Sequence, residues 1–183
     1  MSTRCKLTPE ERASRARNRM IETAHQWELG THAGKVATVY QRMVRAESAA
    51  MPDGYASAIV LGHVQEVFRQ VGQCVCITCG KVGPWKGDFH GGGVIETGHF
   101  IASRRATILF EPSNAHPQCK HCNRHLGGNP ANYELWMQHV YGPDEPDRLH
   151  RLKHTTRQFT HDELVDLQIG YRDRLKAAEE RME

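Results

Sequence analysis

The spacing of apolar and polar positions predicts that the first third of the chain is helical. Thr8 precedes Pro9, and Glu11 follows three positions after Thr8, an order typical of a helix N-terminus. This helix is expected to run to about residue 29 and to end at Gly30. A second helix is predicted over about 33–50. A third is predicted over about 55–71, because five apolar residues recur there at helical spacing: Val60, Val64, Val67, Phe68 and Val71.

The middle of the chain has the composition of turns and strands. Residues 73–80 are predicted to form a turn that carries three cysteines. Residues 94–101 are rich in β-branched and aromatic side chains and predict a strand. Residues 107–110 have the same character, and we expect them to be its antiparallel partner, followed by an exit turn at 111–114.

Helical patterns return in the last third. A helix is expected from about Cys119 and should break at the two glycines 127–128, after which another begins at Pro130 and reaches about Tyr141. Residues 142–147 have the composition of a linker. Residues 160–163 form a capping box, and the helix after it has one apolar stripe, typical of a core or of a contact with a partner helix: Leu164, Leu167, Tyr171 and Leu175.

Composition limits the class of protein more than it identifies it. The 183 residues are 39% hydrophobic and 25% charged, as in ordinary globular proteins, and no apolar run is long enough to predict a membrane span. The start of the chain is polar and basic, unlike a secretory signal, so we expect a cytoplasmic location. A net charge of +3 permits nucleic-acid binding without demonstrating it.

Two CxxC pairs are the strongest chemical signal. A CxxC turn directs two thiolates at one ion, and two such turns complete a tetrahedral zinc site that is closed to substrate and therefore structural. In a reducing compartment this spacing favours a metal over disulfides. Cys74 has a poorer spacing to the first pair, and Cys5 is remote, so neither is included. The predicted ligands are Cys76, Cys79, Cys119 and Cys122.

The residues around these cysteines resemble a known family. A Gly-His pair, an Asn five residues before a CxxC and an Asn directly after its last Cys resemble the HNH or His-Me finger nucleases, which have a ββα-metal core. The longer pattern CITCG, GHFIASRRATILF and NAHPQCKHCNRHLGGN, followed by a Tyr, is similar to the NinG/Rap family of lambdoid phages. That family is implicated in phage recombination as a structure-selective endonuclease, and the resemblance therefore implies a location in the cytoplasm of the bacterial host. The resemblance covers about residues 72–141, and we expect the flanking segments to lie outside it.

The resemblance implies roles for three residues. His99 matches the general base that takes a proton from the attacking water, and its ordinary pKa near 6.5 suits that task. Asn114 matches the middle Asn, which holds the loop and orients the histidine. Asn123 matches the position that binds the catalytic divalent ion, Mg²⁺ or Mn²⁺, which polarises the scissile phosphate and stabilises the leaving 3′ oxygen.

One position departs from the family pattern. Many HNH nucleases have Asp directly before the first His, as a second metal ligand, and here Gly98 occupies that position. Either a single Asn and waters hold the ion, or another residue replaces the Asp. His116 is the first candidate and Glu96 the second, and a His ligand would favour Mn²⁺ or a softer ion. The alternative for His116 is a hydrogen bond to a backbone carbonyl near the zinc.

Basic residues near the expected site are candidate DNA contacts: Arg104, Arg105, Lys120 and Arg124. Trp85 and Lys86 lie in a loop that is a candidate wedge at a DNA junction. Asn129 is expected to cap the next helix through its side-chain oxygen, and Tyr133 and Trp136 are expected in the core.

The predicted fold class is α+β, with a zinc-stapled ββα-metal (HNH-like) core at 72–141, a helical N-terminal region at 1–71 and a linker with a C-terminal helix at 142–183. The predicted function is that of a metal-dependent, structure-selective DNA endonuclease that hydrolyses branched recombination intermediates. Its partners would be branched DNA and a second copy in a homodimer, with no membrane and no small-molecule cofactor. The alternatives are a non-catalytic zinc module that binds DNA or a recombination protein, and a packaging-associated HNH nuclease.

Overall fold

The computed structural model describes residues 8–87, 93–102, 106–155 and 157–183. The fold is α+β, with three small antiparallel sheets and five α-helices in the described part. The helices are α1 (Pro9–Ala49), α2 (Ala106–Leu109), α3 (Pro130–Tyr141), α4 (Glu145–Lys153) and α5 (His161–Glu180). The strands are β1 (Gly54–Val60), β2 (His63–Arg69), β3 (Gln73–Val75), β4 (Val82–Pro84), β5 (Ile95–His99) and β6 (Ala115–Cys119). A 3₁₀ turn, Pro112–Asn114, precedes β6, and a one-turn π-helix, His121–His125, follows it.

One long helix replaces the two that were predicted before residue 50. Gly30 lies inside α1 without a positive φ, so the predicted break there is wrong. An isolated glycine costs a helix only about 1 kcal/mol. The face of α1 that contains Val36, Tyr40 and Met43 is fully buried, and burial of such side chains outweighs that cost.

The predicted third helix is a β-hairpin. β1 and β2 pair in register from Gly54↔Arg69 to Val60↔His63, and the two residues between them, Leu61 and Gly62, both have positive φ. Two central residues of positive φ make the tight turn that suits the twist of a hairpin. The helical spacing of the valines was misleading, because β-branched residues also favour strands.

The strand partner of β5 also differs from the prediction. Residues 107–109 of the predicted strand lie in α2, and β5 pairs instead with β6, from Ile95↔Cys119 to His99↔Ala115. All five side chains of β6 are buried although the segment includes Pro117. Tertiary packing selects this segment over one with better strand propensity.

Two of the three helices predicted in the last third are present, and one helix was not predicted. The helix expected from about Cys119 is only a one-turn π-helix, His121–His125, because Cys119 ends β6. α3 has the predicted bounds, and α5 begins at the capping box, in which Thr160 accepts from the Glu163 backbone N–H. The predicted linker contains the start of α4, which the sequence interpretation missed.

The core has two parts. One joins α1 and α5 to the cysteine-bearing turns, and it includes Tyr40, Met43, Ile95, Phe110, Leu164, Tyr171 and Leu175. The apolar stripe of α5 therefore belongs to the core. The second lies under α3 and α4 and includes Ile59, Ile77, Ile108, Tyr133, Trp136 and Leu149. Among the described helices, none combines the length and the apolarity required to cross a bilayer.

Candidate metal centre and adjoining polar site

Four cysteine side chains converge where two turns meet. The first turn joins β3 to β4, and the second joins the end of β6 to the π-helix. In the first turn the Gly80 backbone N–H donates to the Cys76 carbonyl at 2.8 Å, and Gly80 takes a φ of +75°, which glycine adopts without steric cost. The sulfur atoms of the four predicted ligands all lie within 4.8 Å of one another: Cys76, Cys79, Cys119 and Cys122.

The protonation of these sulfurs fits a metal site. A hydrogen bond from the Cys79 thiol lowers the pKa of Cys76 to about 5, whereas burial raises the pKa of Cys119 to about 11. Four sulfurs this close repel one another as thiolates, so they ionise together only around a cation. An all-sulfur, four-ligand set is typical of structural zinc. These four residues could therefore hold a metal ion such as zinc.

Cys74 is buried but is not part of this cluster. The Cys74 thiol donates to the Arg45 carbonyl at 3.2 Å, and burial raises its pKa to about 11. Its omission from the ligand set therefore agrees with its position. Cys5 lies outside the described residues.

Polar side chains from α3 hold the first cysteine turn in place. The amide nitrogens of Asn129 and Asn132 both donate to the Thr78 carbonyl, at 3.1 and 3.0 Å. Asn129 occupies the N-cap position of α3, as predicted. Its side-chain oxygen makes no capping hydrogen bond, so the predicted capping contact is wrong. Its backbone is left-handed, with a φ of 50°, and its side chain is directed at the metal centre instead.

His99 ends β5 and is partly buried. Its ring donates a hydrogen bond to the Leu109 backbone, while its Nε2 is buried and has no partner among the described residues. The bond to Leu109 must therefore use Nδ1. Burial lowers the pKa of His99, and the bond to Leu109 only partly opposes that effect. The result is a neutral imidazole whose Nε2 has a free lone pair.

Asn114 ties the loop that follows His99 to the start of β6. It is fully buried, and its amide donates to the carbonyls of Ile101 and Ile108 at 3.3 and 3.0 Å. Its side-chain oxygen accepts from the Ile101 N–H at 2.8 Å. Because Ile108 directly precedes Leu109, the bond from Asn114 to Ile108 also fixes the Leu109 backbone, to which the His99 ring donates.

Asn123 lies in the π-helix beside a buried acid. Its amide donates to Glu96 Oε2 at 2.8 Å, and the Arg124 guanidinium forms two bonds to the same carboxylate, at 2.9 and 2.8 Å. The Glu96 side chain is 7% exposed, whereas that of Arg124 is 61% exposed. The carboxylate and the Asn123 amide are oxygen donors of the kind that Mg²⁺ and Mn²⁺ prefer.

Gly98 lies on the same strand face as Glu96, and a neighbouring side chain fills the space beside it. An ideal Cβ at this position would collide with the side-chain oxygen of Gln118. Gln118 is fully buried, and its amide nitrogen donates to Thr78 and to the Gly128 carbonyl. Its oxygen has no partner among the described residues. No larger residue fits at 98 while Gln118 takes this conformation.

His116, the first candidate to replace the missing Asp, is held between two tyrosines. Its Nδ1 lies 3.0 Å from the Tyr133 hydroxyl and its Nε2 lies 2.8 Å from the Tyr141 hydroxyl. Burial lowers its pKa to about 3. Both ring nitrogens are therefore engaged, an arrangement that favours a structural role over metal binding.

The structure describes two of the four basic residues that were predicted to contact DNA. Arg104 and Arg105 lie outside the described residues. Lys120 precedes the π-helix and is partly exposed, and Arg124 is paired with Glu96. Trp85 is only 8% exposed and belongs to the core, which argues against the wedge. Tyr133 and Trp136 are buried as predicted.

Two features of this site were not anticipated. The sequence suggested Glu96 as an ion ligand only because it shares a strand face with Gly98. Its ion pair with Arg124 had no sequence signal, since neither spacing nor composition relates positions 28 residues apart. Gln118 had no signal at all. Gln118 reaches its position because β5 pairs with β6, whereas the sequence predicted residues 107–110 as the partner of β5.

The chain matches the model of a known protein family. The family model described as Bacteriophage Lambda NinG protein matches residues 53–182. The match extends beyond 72–141 to include the β1–β2 hairpin and α5, so the expectation that the tail lies outside the resemblance is wrong. Comparisons with curated proteins and with solved structures found no match.

Proposed function

The chain belongs to the family of the bacteriophage lambda NinG protein, and from that membership we propose that it is a metal-dependent DNA endonuclease of the His-Me finger type. Its substrates in this proposal are branched recombination intermediates such as D-loops and Holliday junctions. A four-way junction has two symmetry-related strands to cut, so a homodimer with two sites is the proposed assembly. Sedimentation of such a dimer would give twice the chain mass of 20.8 kDa.

The state of His99 carries this proposal. A general base requires a neutral imidazole, a free lone pair and a fixed ring. Burial keeps the pKa of His99 low, Nδ1 is held by Leu109, and Nε2 has no partner among the described residues. Nε2 would accept the proton of the attacking water. Because Nε2 is covered by protein here, the substrate has to displace the covering residues first.

The neighbouring residues have supporting roles in this mechanism. Asn114 positions His99 through the Ile108–Leu109 backbone. Asn123 would hold the divalent ion, which when bound polarises the scissile phosphate and stabilises the leaving oxygen. Lys120 and Arg124 would contact the DNA backbone. The four cysteines hold β6 and the π-helix together and do not contact substrate.

A cleavage assay tests this function. Linear duplex, flap, D-loop and four-way junction DNA would each be incubated with zinc-loaded protein and Mg²⁺ or Mn²⁺. We expect cleavage of the branched substrates, and we expect His99→Ala to reduce the rate at least about 100-fold, the low end of general-base effects. His139→Ala, at an exposed position on α3, is the matched control. Undiminished cleavage by His99→Ala would refute the assignment.

A second function has its own supporting observation. Asn123 and Arg124 are both bonded to Glu96, and Gly98 supplies no ligand. A non-catalytic zinc module that binds branched DNA would tolerate both facts. In the same assay it would bind junctions with an affinity that falls as salt rises, and it would cut none of the substrates with either ion.

A further inference from the structure

Glu96 is a buried acid whose positive partner, Arg124, is largely exposed. A carboxylate removed from water requires a compensating positive charge, because an uncompensated buried charge is strongly destabilising. Arg124 supplies that charge through two bonds. Its own side chain is 61% exposed, so the guanidinium can leave Glu96 for solvent or for another anion without crossing the protein interior.

The site for a ligand at position 98 is closed. The Gln118 oxygen lies where a Cβ at Gly98 would be, so the Asp that many HNH nucleases have there does not fit while Gln118 takes this conformation. Glu96 is two residues earlier on the same strand and therefore on the same face. It is also in contact with Asn123, the expected ion ligand, at 2.8 Å.

We infer that Glu96 is the carboxylate ligand of the divalent ion, shared with the side-chain oxygen of Asn123, and that Arg124 is a stand-in cation that the ion displaces. This inference rests on the proposed function, because it identifies the ligand that an ion-dependent nuclease of this sequence lacks at Gly98. The released Arg124 is then available to a DNA phosphate, for which a guanidinium has matching geometry. Ion binding and DNA binding thereby support each other.

The exchange needs only small movements. The Asn123 amide now presents its nitrogen to Glu96, and rotation of its terminal torsion, which has a broad two-fold profile, presents the oxygen instead. Two oxygens that would repel each other alone become joint ligands when a cation lies between them. The ligand set is oxygen only, which selects hard cations such as Mg²⁺ and Mn²⁺ over zinc.

Manganese binding to the zinc-loaded full chain tests the inference without any cleavage. Free Mn²⁺ would be measured by its paramagnetic resonance signal during titration, with zinc content and circular dichroism verifying that each variant is folded. We expect Glu96→Gln to weaken Mn²⁺ binding at least tenfold, because it removes the anionic ligand. We expect Arg124→Gln to tighten binding severalfold, because it removes the competitor.

The Arg174–Glu47 pair provides the matched control. It has the same two-bond geometry, at 2.8 and 2.8 Å, and a comparably exposed arginine, but it joins α5 to α1 away from this site. Arg174→Gln should leave Mn²⁺ affinity unchanged. A structural ion pair at Glu96 would instead make Arg124→Gln neutral or harmful to Mn²⁺ binding, and that result overturns the inference.

The outcomes separate this inference from the proposed function. If wild type binds no Mn²⁺ at millimolar concentrations, or if Glu96→Gln leaves its affinity unchanged, the ligand assignment fails even when His99→Ala abolishes cleavage. If Glu96→Gln and Arg124→Gln shift Mn²⁺ affinity in opposite directions but no DNA is cut, the ion site stands and the nuclease proposal fails.

Discussion

At the scale of single residues, Gly98 and Gln118 depend on each other. Gln118 crosses the face of β5 to reach Thr78 and Gly128, and it can do so only because position 98 has no side chain. These bonds connect the second cysteine turn to the first. Gly98, which stands where many HNH nucleases have Asp, is therefore part of the packing beside the four-cysteine cluster.

Gly98→Ala should destabilise the protein by about 2 kcal/mol, within the range for overpacked cores, because a Cβ would collide with the Gln118 oxygen. Chemical denaturation of the zinc-loaded protein measures this change. Gln118→Ala alone should also destabilise, by loss of its hydrogen bonds. In the double variant the Gly98→Ala penalty should largely disappear, and an additive result would contradict the proposed contact.

At the scale of elements, the β5–β6 pair depends on a buried neutral histidine. His116 lies on β6 and is held by Tyr133 and Tyr141 of α3, so one imidazole connects the β5–β6 pair to α3. Its pKa in the folded protein is about 3, because burial opposes its charged form, whereas the unfolded chain has the ordinary value near 6.5.

The sign of the resulting pH dependence follows from proton uptake. Between pH 6.5 and 3 the unfolded chain binds a proton at His116 and the folded protein does not, so stability is full above pH 6.5 and falls as pH falls. The maximal slope is about 1.4 kcal/mol per pH unit for one group. His99, whose pKa burial also lowers, adds to the slope in the same direction. His116→Phe should flatten the dependence measured between pH 5 and 7, and the exposed His139→Gln should not.

At the scale of the whole molecule, the four-cysteine cluster shares one apolar core with the two longest described helices, α1 and α5. The apolar cluster that contains Cys76, Cys119 and Cys122 also contains residues of α1 and α5. Loss of a metal bound there would leave the four sulfurs to take up protons and would remove the bonds that join the two cysteine turns. The consequence should therefore reach helices far from the cysteines in sequence.

Purified protein should contain one tightly bound zinc per chain, and Cys122→Ser should reduce it below half an equivalent, because one of four ligands is lost. A strong chelator should reduce the far-ultraviolet helical signal of wild type as well as release the zinc. Cys74→Ser is the matched control, since Cys74 is also buried but bonds to Arg45. Zinc loss in that variant equal to the loss in Cys122→Ser would contradict the four-ligand assignment.

Local chemistry was sufficient to predict several parts of this protein. The CxxC spacing predicted which four sulfurs would meet, and the capping box and the Pro130 start predicted α5 and α3, because each signal lies within a few consecutive residues. The family was also recognisable from residues around the cysteines. The roles of His99, Asn114 and Asn123 remain predictions, although the contacts of His99 and Asn114 suit them.

Only the tertiary structure decided how distant segments pair. Helical and strand patterns of valine overlap, so the hairpin at 54–69 was misread, and Ala115–Cys119 became the partner of β5 despite its proline. The contacts of Glu96 with Asn123 and Arg124, and the filling of the space beside Gly98 by Gln118, depend on that pairing. Contacts between residues far apart in the chain arise from packing, which no local spacing records.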